Sequence, residues 1–175
     1  VLTERGLGAA LARAAGAEKA RVVVNCLRDM KAAEAVAADV VKAGGEAFPV
    51  RADVADFEAA RGLVEQVLAR WGRVDVLVNT VGAFHWNPLV EVEAGEWRRV
   101  VATNLDSVFH MCRLVVPHMR ERRFGRIVNF ASLAAYTPPA GQACYAAAKA
   151  GVLGYTHSIA LDLAQYGVTA NAIAP

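Results

Sequence analysis

The chain has 175 residues, 55 % of them apolar and 21 % charged, with a formal net charge of +2. That composition fits one globular domain with a sizeable core and excludes a disordered segment. So small a charge, without a clustered basic face, excludes a nucleic-acid partner, and no apolar run reaches the ~18–20 residues that a membrane-spanning helix needs.

In chain order, a strand stub ends at Thr3 and Arg5-Gly6-Leu7-Gly8 opens a helix. Val22-Val23-Val24 reads as a strand, and a helix follows from Met30 to about Lys42, closed by Gly44-Gly45. Ala47 to Val50 reads as a strand, and Phe57 to Trp71 as a helix capped by Asp56. Val74 to Val78 is a nearly unbroken apolar run, the pattern of a strand buried on both faces. Glu93 to about Arg120 reads as one long helix, and Arg126 to Phe130 as another buried strand. Ala143 to Tyr166 is expected to be helical, with a last strand over Val168 to Ile173. Strands alternating with helices imply βαβ units and a parallel sheet with right-handed crossovers. No repeat or linker divides the chain, so residues 1–175 read as a single α/β domain.

Cys26, Cys112 and Cys144 are odd in number and lack metal-like spacing. His85, His110, His118 and His157 are scattered and read as surface or packing residues, so no metal site is expected. Nothing resembles a signal peptide, and the expected compartment is a reducing cytoplasm.

In open parallel sheets, ligands sit beyond the carboxyl ends of the strands. The residues due at that edge are Arg5-Gly6-Leu7-Gly8, Asn25 to Arg28, Asp53-Val54, Asn79 to Gly82 and Ala131-Ser132. The glycines of the first group allow backbone amides and a helix N-terminus to approach a phosphate. Tyr145-Ala-Ala-Ala-Lys149 follows the serine loop at once. Residues four apart share one helix face, so phenol and ammonium address one small volume. A lysine charge about 6 Å away favours the phenolate by roughly 2–3 kcal/mol at an effective dielectric of ~20. With four Tyr and four Lys in the chain, such a pair arises by chance roughly one time in ten. Its weight comes from the serine and the nucleotide-type turns around it.

Taken together, these motifs resemble the short-chain dehydrogenase/reductase family, from Thr3 to Pro175. The carriers are Arg5-Gly6-Leu7-Gly8, Asp53-Val54, Asn79…Gly82, Asn104, Ser132, Tyr145…Lys149 and Asn171-Ala-Ile-Ala-Pro175. Val-Val-Val-Asn, Gly-Gly-Glu-Ala and Val-Asp-Val-Leu-Val-Asn have the look of the 3-oxoacyl-carrier-protein reductase branch. The resemblance implies a single-domain, Rossmann-type doubly wound sheet. It implies reduction of a ketone to a secondary alcohol, with Tyr145 as proton donor and Ser132 holding the carbonyl oxygen. Lys149 would lower the tyrosine pKa and bind the nicotinamide ribose, and Asn104 would hold a water that relays protons. Asp53 would hydrogen-bond the adenine and Val54 pack on it, Asn79 and Gly82 would line the cleft, and Pro175 would border the nicotinamide.

Asn25 and Cys26 stand where an NAD-binding chain carries an acidic residue, and Arg5 and Arg28 suit a 2′-phosphate, so NADP(H) is expected over NAD(H). A 3-oxoacyl thioester is the favoured substrate, with Arg120 to Arg123 attracting an acidic carrier protein. Sugars, polyols and steroids remain alternatives of the same family, and a nucleotide-binding scaffold or redox sensor is the alternative of another class. A homodimer or homotetramer is expected through the helices around Asn104 and Tyr145. The family continues past the position of Pro175 into a helix and a last strand, which this chain is expected to lack. The first turn is two residues shorter than the family's Thr-Gly-x-x-x-Gly-x-Gly, so further residues are expected between Thr3 and Glu4.

Overall fold

The computed structural model describes residues 2–175. Strands and helices alternate in the order β1 (Leu2–Thr3), α1 (Gly6–Ala17), β2 (Arg21–Cys26), α2 (Met30–Lys42), β3 (Glu46–Arg51) and α3 (Phe57–Trp71). Then come β4 (Val76–Asn79), α4 (Ala94–Val101), α5 (Ser107–Glu121), β5 (Gly125–Phe130), α6 (Ala143–Ala164) and β6 (Val168–Ile173). Two aspartates set helix starts by accepting orphan amides: Asp29 takes Ala32 N–H at 3.0 Å, and Asp56 takes Ala59 N–H at 2.8 Å. The long helix expected over residues 93–120 is α4 and α5 joined by a π-helical turn at Ala102–Asp106.

Among the described residues, hydrogen bonding forms two parallel three-stranded ladders, β1-β2-β3 and β4-β5-β6. Thr3 Oγ1 and Thr80 Oγ1, 3.5 Å apart, set the end of β1 beside the end of β4. The spatial order is therefore β3-β2-β1-β4-β5-β6, the doubly wound arrangement whose reversal point lies between β1 and β4. Register pairs Thr3 with Asn25, Asn79 with Asn129, and Phe130 with Ile173, which brings the carboxyl ends to one edge.

Helices α1 and α2 cover the β1–β3 half, burying Val24, Ala33 and Val40 completely. Helices α3, α5 and α6 bury Leu63, Met111, Val152 and Ile127 against the other half. The strands expected to be buried on both faces are covered on one only. Leu77 and Ile127 are in the core, whereas Val76 is 55 % exposed and Val128 is half-buried; on β6, Ile173 is 46 % exposed. Over the described residues, helices α3, α5 and α6 pack on one side of β4–β6. The turn from β1 to α1 is also corrected, since Glu4 and Arg5 alone link strand to helix and no residue intervenes after Thr3.

Candidate active site

Asn104 stands at the centre of the π turn and is completely buried. Its amide nitrogen donates to Val100 O and Ala83 O, both at 3.0 Å, and its Oδ1 accepts Ala83 N–H at 3.1 Å. The wider π turn displaces Asn104 from regular helical phase, a distortion common at functional positions. The side chain thereby staples the loop after β4 to the α4–α5 helix.

Lys149, on α6, is 3 % exposed and donates from Nζ to Phe130 O at 2.9 Å. Burial lowers its pKa from the usual 10.5 to about 8. The ammonium lies 5.8 Å from the Tyr145 ring centroid, so the pair expected on one helix face does meet. The Tyr145 ring also packs on Phe84 at 5.7 Å between centroids.

Gly82 completes this corner. A methyl group built on it would stand 2.8 Å from Asn104 Oδ1 and 3.1 Å from Lys149 Nζ. Gly82, Asn104 and Lys149 therefore converge from three separate elements. A Gly82→Ala protein is expected to lose about 1–3 kcal/mol of stability by overpacking, read as a lower urea midpoint. An unchanged midpoint would show that the corner has slack.

Ser132, two residues past β5, is extended and accepts Ala134 N–H at 3.3 Å, which opens a short 3₁₀ turn. Pro175 reaches the same loop, its carbonyl accepting Leu133 N–H at 2.9 Å. Ser132, Lys149, Asn104, Gly82, Tyr145 and Pro175 thus gather at the carboxyl edge of β4–β6.

The dinucleotide-type residues lie along the same edge of β1–β3. A Cβ on Gly8 would overlap Thr3 Oγ1 and its backbone nitrogen, so only glycine lets α1 approach β1 this closely. The start of α1 has no side-chain cap, which leaves the amides around Gly6, Leu7 and Gly8 for an anion. These features fit a pyrophosphate, although the turn is shorter than the resemblance led us to expect.

Asn25 and Asn79 are each 2 % exposed. Asn25 donates to Val50 O and Ala52 O, and Asn79 to Asn129 Oδ1, so their side chains tie strand ends together. Asp53 is exposed and turns its carboxylate onto Ala55 N–H, while Val54 is 2 % exposed in the core.

Arg28 is exposed at the end of β2. Arg5 is held by Asp29, Nη2 to Oδ2 at 2.6 Å. Glu4 lies 3.9 Å from the Arg5 Nε, and Arg51 donates to Arg28 O at 3.3 Å. Sequence reading missed Glu4, Asp29 and Arg51; Asp29 had carried a visible signal as the polar residue just before an alanine-rich helix.

The arginines expected to attract a carrier protein lie away from the candidate catalytic corner. Arg120, Arg122 and Arg123 sit where α5 returns to the amino end of β5, at the sheet edge opposite the site. They bind Tyr166 OH, Val74 O and Gln165 O respectively. Favourable placement near a helix C-terminus and in the following turn accounts for them.

A doubly wound sheet with Ser132, Tyr145 and Lys149 at its carboxyl edge defines a nucleotide-dependent oxidoreductase architecture. The model of the short chain dehydrogenase family matches residues 3–175, and the chain belongs to that family. It is 41 % identical over 171 residues to the 3-oxoacyl-[acyl-carrier-protein] reductase of Synechocystis sp., covering 98 % of this chain and 69 % of that protein. A metagenomic short-chain oxidoreductase solved in complex with NADP superposes with a TM-score of 0.94 at 38 % identity, over 99 % of this chain and 80 % of that one. A xylitol dehydrogenase solved bound to NAD+ also gives 0.94, at 31 % identity, over 99 % and 67 %. Among the described residues, no helix is long and apolar enough to cross a membrane.

Proposed function

We propose that this chain reduces a ketone to a secondary alcohol, with NADPH preferred over NADH and a 3-oxoacyl thioester as substrate class. The observation that carries the reading is the convergence of Gly82, Asn104 and Lys149 beside Tyr145. When bound, the dinucleotide supplies a hydride to the carbonyl carbon. Tyr145 gives its phenolic proton to the carbonyl oxygen, and the Ser132 hydroxyl hydrogen-bonds that oxygen and fixes its position. Lys149, with a pKa of about 8, both holds and passes a proton near neutral pH. It restores the tyrosine proton, drawing on a water at the Asn104 turn. Held to Phe130 O, its ammonium stands ready for the ribose hydroxyls of the nicotinamide half. Pro175 borders the nicotinamide.

At the other end of the cleft, Arg5 and Arg28 face a 2′-phosphate, the start of α1 takes the pyrophosphate, and Asp53 and the backbone of Val54 flank the adenine. Asn79 and Gly82 line the floor, Asn79 through its backbone. Phe84, Trp86 and Tyr136, all more than 60 % exposed, offer an apolar rim to an acyl arm. The substrate class also has support from the relative in Synechocystis, a 3-oxoacyl-[acyl-carrier-protein] reductase. The assembly proposed is a homodimer or homotetramer through α5 and α6, whose outward faces carry Phe109 and Leu161, 45 % and 82 % exposed.

The test is NADPH oxidation against a panel of 3-oxoacyl thioesters, cyclic ketones and ketoses, with NADH in parallel. Turnover of the thioesters with NADPH is expected. Dinucleotide binding without turnover of any carbonyl would replace this reading by a scaffold.

A further inference from the structure

We infer that Asp29 sets the choice between phosphorylated and unphosphorylated dinucleotides, as an internal counter-ion that a 2′-phosphate must displace from Arg5. This deepens the reading above and rests on it.

The geometry is a carboxylate used from both sides. Asp29 Oδ1 accepts Ala32 N–H at 3.0 Å at the start of α2, and Oδ2 accepts Arg5 Nη2 at 2.6 Å. The amide behind and the guanidinium in front leave the carboxylate no idle oxygen. The Ala32 amide and then Arg5 hold its pKa below the usual carboxylate range, so the group is ionised at neutral pH. Glu4, with a side chain only 14 % exposed, lies 3.9 Å from Nε of the same guanidinium. Arg5 therefore meets an incoming ligand with its charge already answered.

The two dinucleotides see this corner differently. A phosphate with two negative charges must separate Arg5 from Asp29 and tolerate that carboxylate nearby. A ribose hydroxyl requires neither. Asp29 thus acts against the preference that Arg5 and Arg28 create. Arg5 is 72 % exposed and Asp29 38 %, so the pair is strong enough to compete and weak enough to open.

Asp29→Ser tests this, because serine keeps a helix-capping oxygen and removes the charge. Dissociation constants for NADPH and NADH are measured by tryptophan fluorescence quenching at low and high salt. NADPH is expected to bind about five- to tenfold tighter than to the wild type at low salt, with the gain shrinking as salt rises. NADH is expected to change by less than about twofold. In an Arg5→Gln background, the gain from Asp29→Ser should vanish, because the carboxylate acts through that guanidinium.

Unchanged NADPH affinity overturns the inference. So does NADH binding that weakens while NADPH stays constant, since Asp29 would then be a ribose ligand. Asp29→Asn, which keeps size and cap, guards against a folding defect in the serine variant and is expected to behave alike. If neither the wild type nor the variants bind either dinucleotide, the oxidoreductase reading itself falls, and this assignment with it.

Discussion

A Tyr145→Phe protein is expected to reduce its ketone about 10²–10⁴-fold more slowly in kcat, the range typical of a lost general acid. Phenylalanine keeps the ring that packs on Phe84 at 5.7 Å and leaves the Lys149 to Phe130 O bond at 2.9 Å undisturbed. Only the dissociable O–H is removed. Dinucleotide affinity should therefore stay within about twofold, and the loss should appear in kcat rather than in binding. Steady-state kinetics beside a binding titration separate the two. Turnover close to that of the wild type would reject Tyr145 as the acid and move the search to another donor in the corner.

The second large effect is on stability and concerns Lys149. Its folded pKa of about 8 lies below the unfolded value of 10.5. Between those values the unfolded chain binds more protons than the folded one, so stability rises with pH across that window. Below about pH 8 both states carry the charge, and burying it costs about 3 kcal/mol; above about 10.5 the cost is gone. A Lys149→Met protein has no such term. Urea unfolding of both proteins from pH 7 to 10.5 should show the wild type gaining about 3 kcal/mol on the variant. Parallel pH profiles would mean that water reaches the ammonium more freely than its 3 % exposure implies.

Much of the site was readable because its residues obey short-range rules. Tyr145 and Lys149 meet because a helix puts residues four apart on one face, and Asp56 caps its helix because an aspartate there has an amide to take. Residues whose partners lie far along the chain were not readable in the same way. Nothing in the sequence says that the Lys149 ammonium ends on Phe130 O, or that Asn104 spends its amide on Ala83 and Val100. The Arg5–Asp29 pair joins residues 24 positions apart across two turns. Val76 and Leu77 look alike in sequence, yet over the described residues the first stands at the surface and the second in the core.

That uncovered side of the β4–β6 ladder bears on how folding of this chain can be followed. Over the described residues Val76 and Ile173 are exposed on one face of the ladder, with Val78 and Val128 half-buried beside them. Fluorescent dyes such as ANS bind exposed apolar surface whatever its origin, and their signal is widely read as the mark of a molten globule. A polypeptide of these 175 residues alone would offer them a seat in its folded state, so its dye fluorescence is expected to be high before denaturant is added. For such a polypeptide, near-UV circular dichroism, which reports fixed packing around aromatic rings, is the measurement that tells folded from collapsed.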